Sequence, residues 1–203
     1  MSGFHSIAII SIGFKTLTAR GDFNRETGSQ PLGFAIGFEL TLSGRLRSDH
    51  LAGLLALNDL SQQGGPGHVG GELQILTVPQ GGEVLTQPAV WVNPADGGIW
   101  TFVVTASGVS GLQLTVDASG MPALTSAWVL PLGGFSPIVA NDILFFAGNN
   151  RILALNPTDG ALLWSDTGIG GIHWESPVVA NGILYITDES GMLTAYSLDG
   201  RLP

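Results

Sequence analysis

Three neighbouring residues in the C-terminal part of the sequence, His173, Trp174 and Glu175, have side chains that could bind a ligand. An aromatic ring flanked by an imidazole and a carboxylate can stack on a flat ligand and hydrogen bond to its polar groups. The same residues also suit a structural role, in which Trp174 covers a seam between packed elements and Glu175 is solvated. We take the three residues as candidates for ligand or cofactor binding, with the structural role as the alternative.

The rest of the sequence contains no pattern of a catalytic or metal site. The glycine-rich stretch 64–71 lacks the Gly-Lys-Ser/Thr of a phosphate-binding loop, and no Gly-x-Ser-x-Gly elbow occurs. The four histidines are scattered, without the spacing of a zinc site. Asp188, Glu189 and Asp199 stand in predicted turns, where carboxylates commonly cap backbone amides. We therefore predict no catalytic residue, no metal ligand and no cofactor.

Composition limits the class of protein and its partners. Sixteen acidic residues against seven Lys and Arg give a net charge of -9, which repels the phosphates of nucleic acids. The absence of cysteine excludes disulfides and thiolate nucleophiles. Thirty glycines, eleven prolines and only 11% charged residues favour short strands joined by tight turns over long helices. The composition predicts an all-β protein that does not bind nucleic acid.

The N-terminus contains no clear signal peptide. An apolar stretch runs from Ile7 to Phe14, but no Lys or Arg precedes it and no clear cleavage site follows. Nowhere does an apolar run approach the roughly 18 residues that span a bilayer. We expect no transmembrane segment.

A repeat with a period of 40 residues dominates the second half of the sequence. Residues 136–146, SPIVANDILFF, and 176–186, SPVVANGILYI, are identical at seven of eleven positions. A third, looser copy runs from Gln87 to Trp128 with a longer loop near Asn93-Pro94, and GLLALN at 53–58 resembles RILALN at 151–156. Repeats of this period indicate a solenoid, a propeller or an array.

The pattern inside each copy predicts antiparallel hairpins. In the last copy we predict strands over 177–180, 183–187 and 192–197, separated by turns at Asn181-Gly182 and 188–191. A fourth strand is predicted at 161–164 of the preceding copy. Four antiparallel strands in about 40 residues are the blade of a β-propeller.

One stretch resembles the signature of a known family. ALNPTDGALLW, from Ala154 to Trp164, is similar to the Ala-x-Asp-x-x-Thr-Gly-x-x-x-Trp motif of pyrroloquinoline-quinone-like (PQQ-like) repeats, found in quinoprotein dehydrogenases and in the propeller lipoprotein of the outer-membrane assembly machinery. Ala154, Gly160 and Trp164 match, whereas Asn156 and Asp159 differ from the preferred residues.

The resemblance implies structural roles for these matching residues. It implies that Trp164 packs between neighbouring blades and that Gly160 supplies the positive φ of a turn. The copy at 87–128 departs from the motif, because Trp128 follows Gly120 by eight residues instead of four. In a propeller, the segment that holds His173, Trp174 and Glu175 enters an innermost strand, close to the central funnel.

These observations predict a propeller with an incomplete ring of three to four blades. We assign residues 1–43 to an irregular segment outside the repeats, and 44–203 to blades at about 44–86, 87–135, 136–175 and, in part, 176–203. A closed ring of this type takes about six to eight blades. We therefore expect the chain to be a fragment of a longer protein, with self-association through open blade edges as the alternative.

Two functions are open at this stage. The first is a non-enzymatic platform for protein partners or a small ligand, which the absence of catalytic patterns favours. The alternative is a fragment of a PQQ-dependent quinoprotein dehydrogenase, with PQQ and calcium as cofactors; the resemblance implies a cysteine pair in many such enzymes, and this sequence has none. The resemblance also implies a bacterial protein of the periplasm or cell surface.

Overall fold

The computed structural model describes residues 7–9, 16–20, 34–39, 53–59 and 72–197, with side chains over 53–57 and 73–197. These residues form strands, turns and loops, and no helix occurs among them. The strands make up four antiparallel sheets in which chain neighbours pair. The all-β class predicted from composition and hairpin signals is confirmed.

The first sheet contains five strands in chain order: β1 (Ile7–Ile9), β2 (Thr16–Arg20), β3 (Phe34–Glu39), β4 (Leu54–Asp59) and β5 (Glu72–Thr77). It lies in a compact unit made of residues 1–77 and 116–124. Strand β4 carries the GLLALN sequence, and its Leu55 and Leu57 are fully buried. Strands β1 to β3 fall within residues 1–43, whose place outside the repeats stays a prediction. The glycine-rich stretch 64–71 lies outside the described residues.

A second compact unit, residues 78–115 and 125–203, contains most of the other strands. The second sheet comprises β6 (Ala89–Val92), β7 (Ile99–Thr105), β8 (Gly108–Val116) and β9 (Pro122–Leu130). The third sheet comprises β10 (Phe135–Ala140), β11 (Ile143–Gly148), β12 (Arg151–Leu155) and β13 (Leu162–Asp166). The fourth sheet comprises β14 (Val178–Ala180), β15 (Ile183–Thr187) and β16 (Leu193–Ser197). Strand β15 has the predicted bounds, and the strands predicted at 177–180 and 192–197 each begin one residue later. The fourth strand of the third sheet is confirmed, but it runs from 162 to 166.

Tight two-residue turns close three of these hairpins. Both central residues have positive φ at Asn141-Asp142, Asn149-Asn150 and Asn181-Gly182. This is the type I′ geometry, which matches the right-handed twist of paired strands and favours Asn, Asp and Gly. The predicted turn at Asn181-Gly182 is confirmed.

Longer turns of one type recur at different places in the repeat. In Asn93–Gly98 and Asn156–Ala161, the first residue donates its N–H to the carbonyl of the sixth, at 2.8 Å in both turns. The fifth residue is a glycine, Gly97 or Gly160, with a φ of +73° in each. The first of these turns joins β6 to β7, whereas the second joins β12 to β13. The sequence Asn-Pro-x-Asp-Gly therefore forms the turn of two different hairpins.

Apolar faces of neighbouring sheets form the core of the second unit. Between the second and third sheets lie aromatic and aliphatic side chains of both, among them Phe102, Val104, Leu144, Phe146 and Leu153. Between the third and fourth sheets lie Ala147, Ile152, Leu184 and Ile186, with Ile138, Phe145, Val179 and Tyr196 packed around them. Because the side chains of a strand alternate between the two faces, one face of the third sheet packs on the second sheet and the other face packs on the fourth.

Tryptophan and tyrosine side chains connect the sheets at their margins. Trp128 of β9 donates its Nε1–H to the carbonyl of Pro157, in the turn between β12 and β13, at 2.9 Å. Trp164 of β13 meets Tyr196 of β16 edge to face, with ring centroids 4.9 Å apart. The Tyr196 hydroxyl donates to Asp166 Oδ2 at 2.6 Å. Partial burial raises the pKa of Tyr196, and the hydrogen bond to Asp166 raises it further.

The position of Trp128 shows how the irregular copy keeps its packing. A Cβ atom added to Gly111 of β8 would clash with the Trp128 ring, so the indole lies directly over this glycine. In the third sheet, Trp164 is likewise opposite a small residue, Ala154, on the paired strand. The spacing of eight residues from Gly120 to Trp128 arises because β8 and β9 are longer than β12 and β13. Trp128 still lies beside a small residue of the neighbouring strand.

We expect Trp128→Ala to lower the free energy of unfolding by about 2 to 3 kcal/mol, because a half-buried indole and its bond to the third sheet are both lost. Urea unfolding followed by circular dichroism measures the change. Trp174→Ala is the matched control and should cost less than about 1 kcal/mol, since Trp174 is mostly exposed. Equal losses for the two variants would contradict this account of the packing.

Candidate ligand-binding segment

The candidate residues lie in the segment 167–177, which connects β13 to β14. Ile169 and Ile172 of this segment are buried in the core between the third and fourth sheets. Their burial fixes the path of the chain and leaves the next two residues, His173 and Trp174, exposed. The segment is thus anchored by its apolar side chains and presents its aromatic ones.

Trp174 is 58% exposed, although its backbone is held on both sides. Its carbonyl accepts a hydrogen bond from Ser136 Oγ at 3.1 Å, and its N–H donates to Glu175 Oε2 at 3.0 Å. Ser136 itself adopts a positive φ of 48° and donates its N–H to Thr86 Oγ1 at 2.8 Å. These hydrogen bonds hold the main chain of Trp174 in place, while its indole remains exposed.

Glu175 turns back onto the segment. Its Oε2 accepts the N–H groups of His173 at 2.7 Å and Trp174 at 3.0 Å. Desolvation by partial burial acts to raise the pKa of Glu175, but the backbone N–H groups of His173, Glu175 and Trp174 together hold it below the ordinary value. Glu175 is half-buried, and its role in this geometry is to organise the backbone under Trp174.

His173 stands between two other rings. Its imidazole lies 4.2 Å from the Trp174 ring and 6.2 Å from Phe135, measured between centroids. Its Nδ1 lies 3.5 Å from Glu189 Oε1, and both side chains are more than half exposed. The three aromatic side chains form a row of tilted rings, in which His173 lies between Phe135 and the exposed Trp174.

Asp188 ties the candidate segment to the turn that follows β15. Its Oδ2 accepts the N–H of Gly170 at 2.8 Å, and its Oδ1 accepts the N–H groups of Ser190 at 2.9 Å and Met192 at 3.2 Å. The Ser190 hydroxyl and then the Gly170 N–H lower the pKa of Asp188. The prediction that Asp188 caps backbone amides is confirmed, whereas Asp199 lies outside the described residues.

The turn around Asp188 has a counterpart in the second sheet. Asp117 accepts the N–H and hydroxyl of Ser119 and the N–H of Met121, within the sequence DASGM that matches DESGM at 188–192. The Ser119 hydroxyl likewise lowers the pKa of Asp117. In both turns the carboxylate is engaged by protein donors.

The described residues contain no group of three or more His, Asp or Glu side chains that could hold a metal ion. Sequence reasoning missed Phe135 and Ser136, which support His173 and Trp174 from the third sheet. Ser136 begins the repeated SPxV sequence, so its recurrence at Ser176 was a usable signal. Glu189 was identified only as a turn residue, because its distance to His173 depends on the fold.

Comparisons with known proteins point to one fold. No family model matches the sequence, and no curated protein matches it. Among solved structures, the crystal structure of BamB from Moraxella catarrhalis is similar, with a TM-score of 0.51 and 16% sequence identity over 82% of this chain. The fold is that of a β-propeller. The chain spans 43% of the BamB chain, and its antiparallel sheets are propeller blades. In the described part of this propeller no helix could cross a membrane.

We expect the stabilising effect of Asp188 to depend on pH. A carboxylate whose pKa is lowered in the folded state stabilises the fold above its ordinary pKa of about 4, and this contribution disappears as the pH falls through the lowered value. Asp188→Ala should therefore lower the thermal midpoint at pH 7, and the difference from wild type should shrink as the pH falls below about 4.

Asp159→Ala is the control for this measurement, because the Asp159 carboxylate accepts a single N–H, from Ala161, at 2.9 Å. Its midpoint at pH 7 should stay closer to that of the wild type. A difference between wild type and Asp188→Ala that stays constant from pH 7 to about pH 3 would refute the pH-dependent role.

Proposed function

We propose that this propeller is a non-enzymatic platform that binds a protein partner or a small ligand through the segment of His173, Trp174 and Glu175. The observation that carries the proposal is the indole of Trp174, which is 58% exposed and is attached to a backbone held by two hydrogen bonds. Tryptophan is the residue type most enriched at binding hot spots.

The rigidity of the segment supports binding. Association normally costs free energy for ordering side chains and loops, and a surface that is already ordered avoids part of that cost. Here the carbonyl and the N–H of Trp174 are both engaged, and His173 covers one region of the indole. An incoming aromatic or apolar group would find a platform that needs little rearrangement.

The alternative, a fragment of a quinoprotein dehydrogenase, fits the residues around Trp174 poorly. Calcium takes six to eight oxygen ligands. Near Trp174, both carboxylate oxygens of Asp188 already accept hydrogen bonds from the protein. Oε2 of Glu175 likewise accepts hydrogen bonds from two backbone N–H groups. The Glu189 carboxylate lies 3.5 Å from His173 Nδ1. This arrangement favours the platform over a site for PQQ and calcium.

Membership of the PQQ-like repeat family, a bacterial origin and a periplasmic or cell-surface location are parts of the same proposal. They rest on the motif around Ala154, Gly160 and Trp164, where Gly160 has the positive φ of a turn and Trp164 packs against Tyr196. The likeness to BamB fits these expectations at the level of fold, and a fold hosts many functions. Self-association through open blade edges belongs to the proposal as well.

A peptide library displayed on phage tests the platform directly. Peptides selected on the full chain should bind with Kd values in the micromolar range, and Trp174→Ala should weaken them at least tenfold, or about 1.4 kcal/mol. Leu162→Ala is the matched control, since Leu162 is 56% exposed and lies on β13. The platform role of Trp174 is refuted if the selected peptides bind Trp174→Ala as well as the wild type.

Calorimetry with PQQ and Ca²⁺ tests the alternative function. We expect no saturable heat on titration into the folded chain, because the carboxylates near Trp174 are already engaged. Dye-linked alcohol oxidation in the same mixture should also stay at background. Saturable PQQ binding that Trp174→Ala abolishes would establish the quinoprotein function in place of the platform.

A further inference from the structure

The charged residues of the chain are distributed unevenly along its sequence. Residues 48–200 contain thirteen of the sixteen Asp and Glu residues, but one of the seven Lys and Arg residues, Arg151. A surface on which one sign of charge dominates attracts ligands of the opposite sign and raises their rate of association. The part of the chain that carries the candidate ligand-binding segment therefore attracts cations.

The Glu189 carboxylate places one of these negative charges beside the aromatic rings of the segment. Its Oε1 lies 3.5 Å from His173 Nδ1, and the centroids of the His173 and Trp174 rings are 4.2 Å apart. The carboxylate and the indole are therefore neighbours of the same imidazole. The Glu189 side chain is 55% exposed, and it forms no ion pair with Arg151, the one Lys or Arg among the described side chains.

Two glycines allow the turn that carries Glu189 to approach the segment closely. A Cβ atom added to Gly170 would clash with the Asp188 carboxylate, and one added to Gly171 would clash with the Glu189 carboxylate. The Glu189 N–H also donates to the Gly171 carbonyl at 2.9 Å. The main chain of Glu189 is thus fixed against the segment, which keeps its carboxylate close to the aromatic rings.

The surface around Trp174 belongs to a junction between two blades that are both described. Ile169 and Ile172, earlier in the segment, are buried between the third and fourth sheets. Ser136 of the third sheet donates its hydroxyl to the carbonyl of Trp174. The indole is 58% exposed although the sheets on both sides of the segment are in place. Its exposure is therefore a property of this junction.

We propose, building on the platform role of Trp174, that the ligand is a basic segment of a protein partner. An arginine of that segment stacks on the Trp174 indole, beside the Glu189 carboxylate. Tryptophan is the aromatic side chain that attracts cations most strongly. The guanidinium group is planar, always charged and suited to stacking on aromatic faces, and its N–H groups form charge-assisted hydrogen bonds with carboxylates. Arginine therefore matches both groups that the segment exposes.

Calorimetric titration of the full chain with two blocked tetrapeptides tests the proposal. One peptide consists of arginine, and the other of citrulline, which keeps the shape of arginine but lacks its charge. We expect the arginine peptide to bind with a Kd below about 1 mM and the citrulline peptide to bind at least tenfold more weakly. The affinity for the arginine peptide should fall as NaCl rises from about 20 to 200 mM, because salt screens exposed charges.

Substitutions in the chain test the two contacts separately. Glu189→Gln should weaken binding of the arginine peptide about threefold or more, and Trp174→Ala should weaken it about tenfold or more. Asp159→Asn is the matched control, because it removes one charge from an exposed turn at the opposite end of β13 from the segment. It should bind the peptide like the wild type. Circular dichroism verifies that each variant is folded.

The possible outcomes separate the class of ligand from the platform role itself. Equal binding of the arginine and citrulline peptides would overturn the proposal of a basic ligand, even if peptides selected from the phage library still require Trp174. Equal effects of Glu189→Gln and Asp159→Asn would overturn it too, because the net charge alone would then explain the affinity. Arginine-peptide binding that Trp174→Ala leaves unchanged would exclude stacking on the indole.

Discussion

Apolar side chains on both faces of a β-sheet leave water only if another layer covers each face. In residues 78–197 that layer is the neighbouring sheet. Phe102 and Phe146 fill the space between the second and third sheets, and Ile152 and Ile186 fill the space between the third and fourth. The strands themselves are short, so this packing, more than any single hairpin, decides where each turn and connecting segment must lie.

The candidate site depends on the same packing. Ile169 and Ile172 are drawn into the core between the third and fourth sheets, and the residues that follow them emerge at the surface. The Asp188 carboxylate then holds Gly170 against the turn after β15. Trp174 is exposed although the segment that carries it is anchored by the buried side chains of Ile169 and Ile172. A binding surface built in this way needs no rigid helix, since the blades on either side supply the rigidity.

Local signals in the sequence were enough to predict the hairpins. Asn181-Gly182 can adopt positive φ at low cost, and the repeat places the same turn forty residues earlier at Asn141-Asp142. The resemblance of residues 154–164 to PQQ-like repeats likewise predicts a propeller. What local signals could not provide were contacts between blades, such as the bond from Ser136 to Trp174, because these depend on how one sheet lies on the next.

Glu175 and Trp128 show the limits of pattern reasoning in particular. The sequence presented Glu175 as a group for a ligand or for solvent, and only the path of the chain reveals that its Oε2 caps His173 and Trp174. Trp128 looked displaced by four residues from the motif. Its position over Gly111 shows that longer strands can carry the same packing, which a fixed spacing cannot anticipate.

A double-mutant cycle between Asp166 and Tyr196 tests most directly whether the third and fourth sheets are packed as described. The hydroxyl of Tyr196 lies 2.6 Å from Asp166 Oδ2, and this bond joins the two sheets. Urea unfolding of Asp166→Asn, Tyr196→Phe and the double variant should give a coupling energy of about 1 kcal/mol or more. Additive losses, within about 0.3 kcal/mol, would contradict the packing of one blade on the next.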